Sequence, residues 1–354
     1  MTQSLALKRL LEDAGHEVVA VFMGEDPRRP IPSFVREKLR RLLQTYAAPN
    51  FEVDKKAKGI RPWRSLLQTF PRLPQFMDAA PRVHATIRET RPHLLVNFYD
   101  LLGGLYPSLY RPGIPIVSVA HQFLFFHPAF PVVTDKWWEV KGVKWNTFLT
   151  AIGADLRLAL SFSPLPDLPR WRTKVVPPLL REAVLEADPS PGSHVLAYVL
   201  NPGYAEELDR WQGRNPQVDL HCFWDRRDVP EEVSPRQGLT FHRLSEEKFL
   251  ELLVTCRAYT STAGFESVSE AAYLGKPVMV VPTLNHVEQR CNALDAERAG
   301  VAVWREEFDL SEFIANLGTS PASALEDFRR WVQGAGETIL PLLEGAAMGE
   351  NPFV

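Results

Sequence analysis

The chain opens on a helical pattern. Leu7, Leu10, Leu11 and Ala14 recur three and four residues apart, and Gly15 follows as a C-terminal cap. A strand is predicted over 18–22, so the order is helix first and strand second, unusual for a parallel α/β sheet. Residues 25–75 are rich in Arg, Lys and Pro and carry one helical pattern, over 34–46. Residues 76–90 read as a helix stopped by Arg91-Pro92-His93. Strands follow over 94–98 and 114–119, with Asp100 just past the first. This alternation predicts a parallel, doubly wound layer.

Next comes an aromatic stretch holding Phe123, Phe125, Phe126, Phe130, Trp137, Trp138, Trp145 and Phe148, interleaved with Lys136, Lys141 and Lys144. It fits the packed core of the first half, and equally a surface for a hydrophobic partner, since Trp and Lys favour a membrane interface. A strand over 158–161 follows. Prolines then crowd the path from Pro164 to Pro191, and a domain boundary is predicted within 180–192.

A second series starts at His194, with strands over 194–199, 218–223, 239–242 and 258–261. Asn201-Pro202-Gly203 is a turn before a helix over 204–212, and Ser245 caps a helix whose apolar side is Phe249, Leu252, Leu253 and Cys256. The reading is therefore two Rossmann-like α/β domains facing a cleft. They span 1–185 and 186–320, and a last helical segment, 321–354, returns to the first domain.

Totals sharpen this. The 354 residues suit two domains, and 45% apolar with 23% charged residues is a globular balance. A net charge of −3 gives no basic excess, so no nucleic-acid partner is expected. Cys222, Cys256 and Cys291 lack metal spacing and suit a reducing compartment, and no apolar run approaches membrane-span length. The expected location is cytoplasmic.

The segment from Ser261 to Pro277 carries the chemistry. Ser261-Thr262-Ala263-Gly264-Phe265 leads from a strand into a helix through small residues, and the helix stops at Gly275. Such a helix start points free N–H groups and a positive dipole at an anion, and Gly264 lets a phosphate approach. Glu266 and Glu270 lie four apart on that helix, one turn and two turns in, within reach of ribose hydroxyls. A crossover with no ligand and solvated glutamates fits the spacing equally. A second stretch, Asn285-His286-Val287-Glu288-Gln289, reads as a helix start with Asn285 as cap and Glu288 three residues on. Glu288 and Gln289 there suit sugar hydroxyls, or simply helix capping.

Together the two stretches resemble the donor region of GT-B glycosyltransferases. The likeness is to the family of the peptidoglycan N-acetylglucosaminyltransferase and the UDP-glucuronosyltransferase-like enzymes. It covers residues 240–303 well and Gly15-His16-Glu17-Val18 loosely. The resemblance implies a hexosyltransferase whose co-substrate is a nucleotide-sugar, with neither cofactor nor metal; no Asp-x-Asp motif occurs. It places the diphosphate at the Gly264 turn, the ribose at Glu270 and the transferred sugar at Glu288 and Gln289, with Thr262, Ala263, Phe265 and His286 among the donor-binding residues. His242, Arg243 and Leu244 would meet the nucleobase, with Leu200 and Asn201 facing the cleft. The general base is expected in the first half, at His121 or Asp100, with His127 a third choice, while His16 reads as structural. Each also fits a plain loop residue. The acceptor is an unidentified hydroxyl, lipid-linked or hydrophobic, with peripheral membrane contact a further expectation. Relatives begin with a strand and a Gly-rich loop ahead of the first helix. That strand is missing here and would sit mid-sheet, so an upstream start or a truncated copy is expected. A sugar-nucleotide 2-epimerase and a non-catalytic binding protein share the architecture.

Overall fold

The computed structural model describes residues 1–25, 31–47, 78–134, 136–199, 201–226, 228–318 and 322–353. Within them, strands fall into three sheets. β1 (Val21–Glu25) pairs in parallel with β2 (Leu43–Ala47). β3 (Leu95–Asn97), β4 (Ile116–Ala120), β5 (Leu156–Leu160) and β6 (Thr173–Val176) form a second, fully parallel sheet in sequence order. The third sheet has seven strands: β7 (Val195–Tyr198), β8 (Leu220–Trp224), β9 (Glu232–Arg236), β10 (Leu239–Arg243), β11 (Ala258–Ser261), β12 (Val278–Val280) and β13 (Val303–Trp304). Its order is β13-β12-β11-β7-β8-β10-β9, with only β9 antiparallel. The chain reverses direction across the sheet at β7 and β11, the kind of switch point where open α/β sheets bind ligands.

Where expectation and structure differ, tertiary pairing is the reason. The first strand lies three residues later than its apolar run, because its register is set by pairing Val21 with Leu43. The helix predicted over 34–46 stops at Leu39: Arg40 takes a φ of 45°, which ends the helix, and the chain then enters β2. The 76–90 helix is seen as Ala80–Thr90, its first positions lying outside the described residues. A helix at Leu101–Tyr110, masked in sequence by Gly103, Gly104 and Pro107, follows β3. The last segment is two helices, Ala322–Gln333 and Ala335–Ala347, and the second packs on β4, β6 and the first helix.

The sheet of the first half is split. Among the described residues, β1 and β2 form one piece and β3 to β6 another, and β1 does not pair with β3. One core nevertheless runs through both halves: Val117 and Leu158 of the first join Leu196, Phe223, Tyr259 and Val280 of the second.

Asp295, in the helix Val287–Arg298, is a buried acid whose Oδ2 has no hydrogen-bond partner. Burial pushes its carboxyl up to about 7, with the Arg298 charge opposing. The folded chain therefore keeps a proton that the unfolded chain loses above roughly pH 4. Its contribution is complete at acid pH and is lost as pH rises towards 7, by about 1.4 kcal/mol per pH unit. Asp295→Asn should flatten that slope, so its gain over the parent in urea unfolding is larger at pH 8 than at pH 5. An equal gain at both pH values would remove Asp295 as the cause.

Candidate donor and acceptor cleft

A cleft of about 1370 Å³ runs between the carboxyl ends of the strands of both halves. The first half contributes Phe98 and Tyr99 after β3, and His121 and Gln122 after β4. The second contributes Tyr198, Trp224 and Arg243 at strand ends, the turn after β11 and the helix start after β12. Met1, Thr2 and Gln3 also line it, and the Thr2 hydroxyl donates to the Glu266 carboxylate.

The turn after β11 has the expected form. Gly264 is the N-cap of the helix Phe265–Tyr273, and no side chain caps its first amides. A β-carbon placed on Gly264 would meet nothing nearer than the Thr262 carbonyl oxygen, at 3.9 Å, so the approach from the cleft is open. Backbone donors and the positive end of the dipole thus face a space an anion can enter. Ala263, Gly264 and Phe265 line it, whereas Thr262 is buried beneath and does not.

Glu270 reaches the same cleft but is not waiting alone. Arg181 Nε donates to its Oε1 at 2.6 Å and Arg181 Nη2 to its Oε2 at 2.6 Å, while Nη1 donates to Glu246 at 3.0 Å. Burial pushes the Glu270 carboxyl up and the guanidinium works against that. Burial also disfavours the Arg181 cation, yet the two carboxylates raise its pKa overall. The side chains of Arg181 and Glu270 are 10% and 6% exposed, so this is a buried ion cluster. Each carboxylate oxygen keeps a further lone pair for a sugar hydroxyl. Sequence reading missed Arg181, which lies in a proline-rich path with no local signal.

At the helix Val287–Arg298 the cap is His286, not Asn285. His286 Nδ1 accepts from the Gln289 amide at 3.4 Å, while Asn285 takes the left-handed backbone, φ 58°, that Asn tolerates. The expected capping box is absent because the Glu288 carboxylate turns across the cleft to accept from Gln122 Nε2 at 2.9 Å. Burial holds the His286 ring below its usual pKa. Gln289 Oε1 accepts from the Thr283 amide at 2.8 Å, which leaves its own NH₂ available to a ligand. His286, Glu288 and Gln289 all line the cleft.

Three other expected donor residues are placed elsewhere or outside. His242 is 2% exposed, with Nε2 2.8 Å from His221 Nδ1 and its ring stacked on Phe223. It sits on an inner strand between two neighbours, with its side chain enclosed, and does not line the cleft. Its neighbours Arg243 and Leu244, at the strand end, do line the cleft. Asn201 does not; its side chain accepts from Gly203 N at 2.9 Å as the cap of the helix Pro202–Arg214. Leu200 lies outside the described residues.

Of the candidate bases, His121 is at the cleft and Asp100 is not. Asp100 caps the helix Leu101–Tyr110 by accepting from Gly103 N at 3.1 Å, and accepts from Tyr46 Oη at 2.5 Å. Both oxygens thus serve structure. His127 is a loop residue, held by the Pro166 carbonyl and the Ala129 amide. His16 lies on the far side, beside Glu344. His121 spans the halves: Nδ1 is 2.8 Å from the Leu160 carbonyl, Nε2 is 3.1 Å from Asn292 Oδ1, and the ring stacks on Phe265 at 4.0 Å. Burial lowers its pKa, which favours the neutral ring. Both partners, the Leu160 carbonyl and Asn292 Oδ1, are acceptors, so the neutral ring donates to one of them at a time and its other nitrogen is left with an unused lone pair.

The family model described as glycosyl transferase family 1 matches residues 35–318. The chain belongs to that family. Its fold is GT-B, two Rossmann-like domains about a cleft, and three solved structures are similar over nearly their whole length. The glycosyltransferase of kitacinnamycin is 18% identical, at TM-score 0.64, covering 97% of this chain and 95% of its own. Acinetobacter baumannii MurG is 14% identical, at TM-score 0.56, covering 97% and 95%. Arabidopsis thaliana UGT89C1, complexed with UDP, is 14% identical, at TM-score 0.61, covering 99% and 96%. Comparison with curated protein sequences finds no match.

In this family 1 member two variants separate the helix-start site from the ion cluster. Gly264→Val should fold with a loss of no more than about 1 kcal/mol, the cost of a poorer cap, because its side chain enters open cleft. It should lower nucleoside-diphosphate affinity about tenfold or more by standing where the phosphate approaches. Glu270→Leu, in contrast, leaves Arg181 buried with one partner and should cost about 3–5 kcal/mol of stability. Chemical unfolding and calorimetric titration read the two effects; an unchanged affinity in Gly264→Val would move the anion elsewhere.

Proposed function

We propose that this chain transfers a sugar from a nucleotide-sugar, most readily a UDP-sugar, to a hydroxyl acceptor, with inversion and without a metal. The observation that carries the reading is the uncapped helix start at Gly264, opening on the cleft with Glu270 on the same helix and Glu288 and Gln289 on the next. The diphosphate sits on the Gly264 amides, where the helix dipole offsets its charge as the sugar leaves. The ribose hydroxyls donate to Glu270, held in place by Arg181. Glu288 and the Gln289 amide take the sugar hydroxyls. UDP bound in UGT89C1, a structure of the same fold, supports uridine as the first nucleoside to test.

His121 is the proposed base. In the tautomer whose Nδ1–H donates to the Leu160 carbonyl, Nε2 is unprotonated and takes the acceptor's proton once the acceptor hydroxyl displaces Asn292 Oδ1, itself only an acceptor, from beside it. Burial lowers the His121 pKa, in the direction of the neutral ring that a base needs. The acceptor is hydrophobic or lipid-linked and is met in the cytoplasm at a membrane face. Among the described residues no helix is long and apolar enough to cross one.

Titration with UDP and with UDP-sugars tests the donor half. Both Glu288→Ala and Gln289→Ala should bind UDP like the parent; for the UDP-sugar Glu288→Ala should lose about tenfold to a hundredfold, the worth of a hydrogen bond to a charged group, and Gln289→Ala about tenfold or less. Glu270→Gln should weaken both ligands together. His121→Ala should bind the donor and lose turnover with any acceptor found, whose product anomer is read by NMR. A parent that binds no nucleotide overturns the proposal, and epimerised UDP-sugar in place of transfer replaces it with the epimerase reading.

A further inference from the structure

The helix Trp137–Leu149 is inside out. Its inward positions are Val140 and Thr147, while Trp137, Trp138, Trp145 and Phe148 are 61%, 40%, 54% and 36% exposed. At 3.6 residues per turn these four rings and Lys141 fall within about 100° of the circumference, a stripe roughly 16 Å long. The apolar face of this helix is thus its solvent face, the reverse of a helix that packs on a core. Earlier in the same aromatic stretch Phe123, Phe125 and Phe130 are buried, so core packing accounts for them and not for this stripe.

Cations are interleaved with the rings. Lys141 Nζ lies 4.1 Å from the Trp137 ring centre, and Lys144 Nζ 5.8 Å from that of Phe126. Phe126 in turn meets Trp171 at 4.9 Å, and Arg170 and Arg172, both exposed, flank that indole. The one acid in the helix, Glu139, is paired with Lys136 at 3.7 Å. None of the helix's residues lines the cleft, so the stripe is no part of the donor or acceptor pocket.

We propose that this stripe is the chain's docking surface for an anionic lipid membrane. Indole rings with lysine stems laid over them suit the headgroup boundary, where rings enter the acyl edge and ammonium groups stay with phosphates. A second copy of the chain is the poorer occupant, because a two-fold contact through this face would set Lys141, Lys144, Arg170 and Arg172 against their own copies. The surface gives the proposed lipid-linked acceptor a place to be met, and it rests on that reading only for the work done there; binding itself needs no donor.

Co-sedimentation of the full chain with vesicles, without nucleotide, tests it. Vesicles of phosphatidylcholine with phosphatidylglycerol should bind, and pure phosphatidylcholine should bind weakly, by about fivefold per engaged cation. The difference should shrink as salt rises. Trp137→Ser with Trp145→Ser should lose about tenfold or more with both lipids by removing two rings. Lys141→Glu with Lys144→Glu should lose only the anionic preference. Circular dichroism and UDP titration of each variant keep a failure here separate from misfolding or a failed donor site. No binding by the parent overturns the proposal, as does unchanged binding by the tryptophan variant. So does a parent dimer that the tryptophan variant dissolves, which would give the face to a second copy.

Discussion

The buried Arg181 guanidinium is the contact on which the donor side depends. It comes from the link between the two sheets and closes on Glu270 and Glu246, which belong to two different helices of the second half. A carboxylate at Glu270, near the proposed diphosphate site, would repel that ligand and pay the full penalty of burial if it stood alone. The guanidinium offsets both effects, and its planar fork fixes the carboxylate in one orientation. One charge-assisted cluster therefore holds the link, presents the oxygens and keeps the local field tolerable for phosphate.

A second set of contacts ties the halves together at the chemistry. His121, Asn292 and Phe265 meet across the cleft, and Gln122 reaches Glu288 beside them. Behind them, Trp331 Nε1 donates to the Ser161 carbonyl and Arg329 Nε to the Tyr273 carbonyl, so the helix Ala322–Gln333 straps the first sheet to the Gly264 helix. The proposed base is thus part of the closure itself. In the proposed role Nε2 meets an acceptor hydroxyl only when Asn292 Oδ1 moves aside, which would couple proton removal to occupancy of the site.

How much of this could be read from residues alone follows from the range of the interactions. The Gly264 turn was legible because a helix start, a glycine and a following Gly-Lys-Pro are local features with local causes. Ser245 was legible as a cap for the same reason, and accepts from Lys248 N. His242 was misplaced because strand neighbours, invisible in the sequence, decide which strand-end side chains are enclosed. Asp100 looked like a candidate base because the helix after it, with two glycines and a proline, carries no helical signal. Arg181, Gln122 and Asn292 act on residues far along the chain, and no spacing reveals such pairs.

The two sides of the cleft also differ in what builds them. The proposed donor side rests on backbone amides at a helix start and on carboxylates fixed by a buried ion cluster. The first half lies in two sheet pieces, with β1 and β3 unpaired to each other among the described residues. Its cleft-facing groups are side chains such as Phe98, Tyr99 and Gln122. A site made of backbone geometry recurs across a fold and is recognised by it. A site made of side chains takes its specificity from which residues stand there. Under the proposed function, the backbone site at Gly264 therefore speaks to the donor, while the acceptor is met by the side chains that face it from the first half.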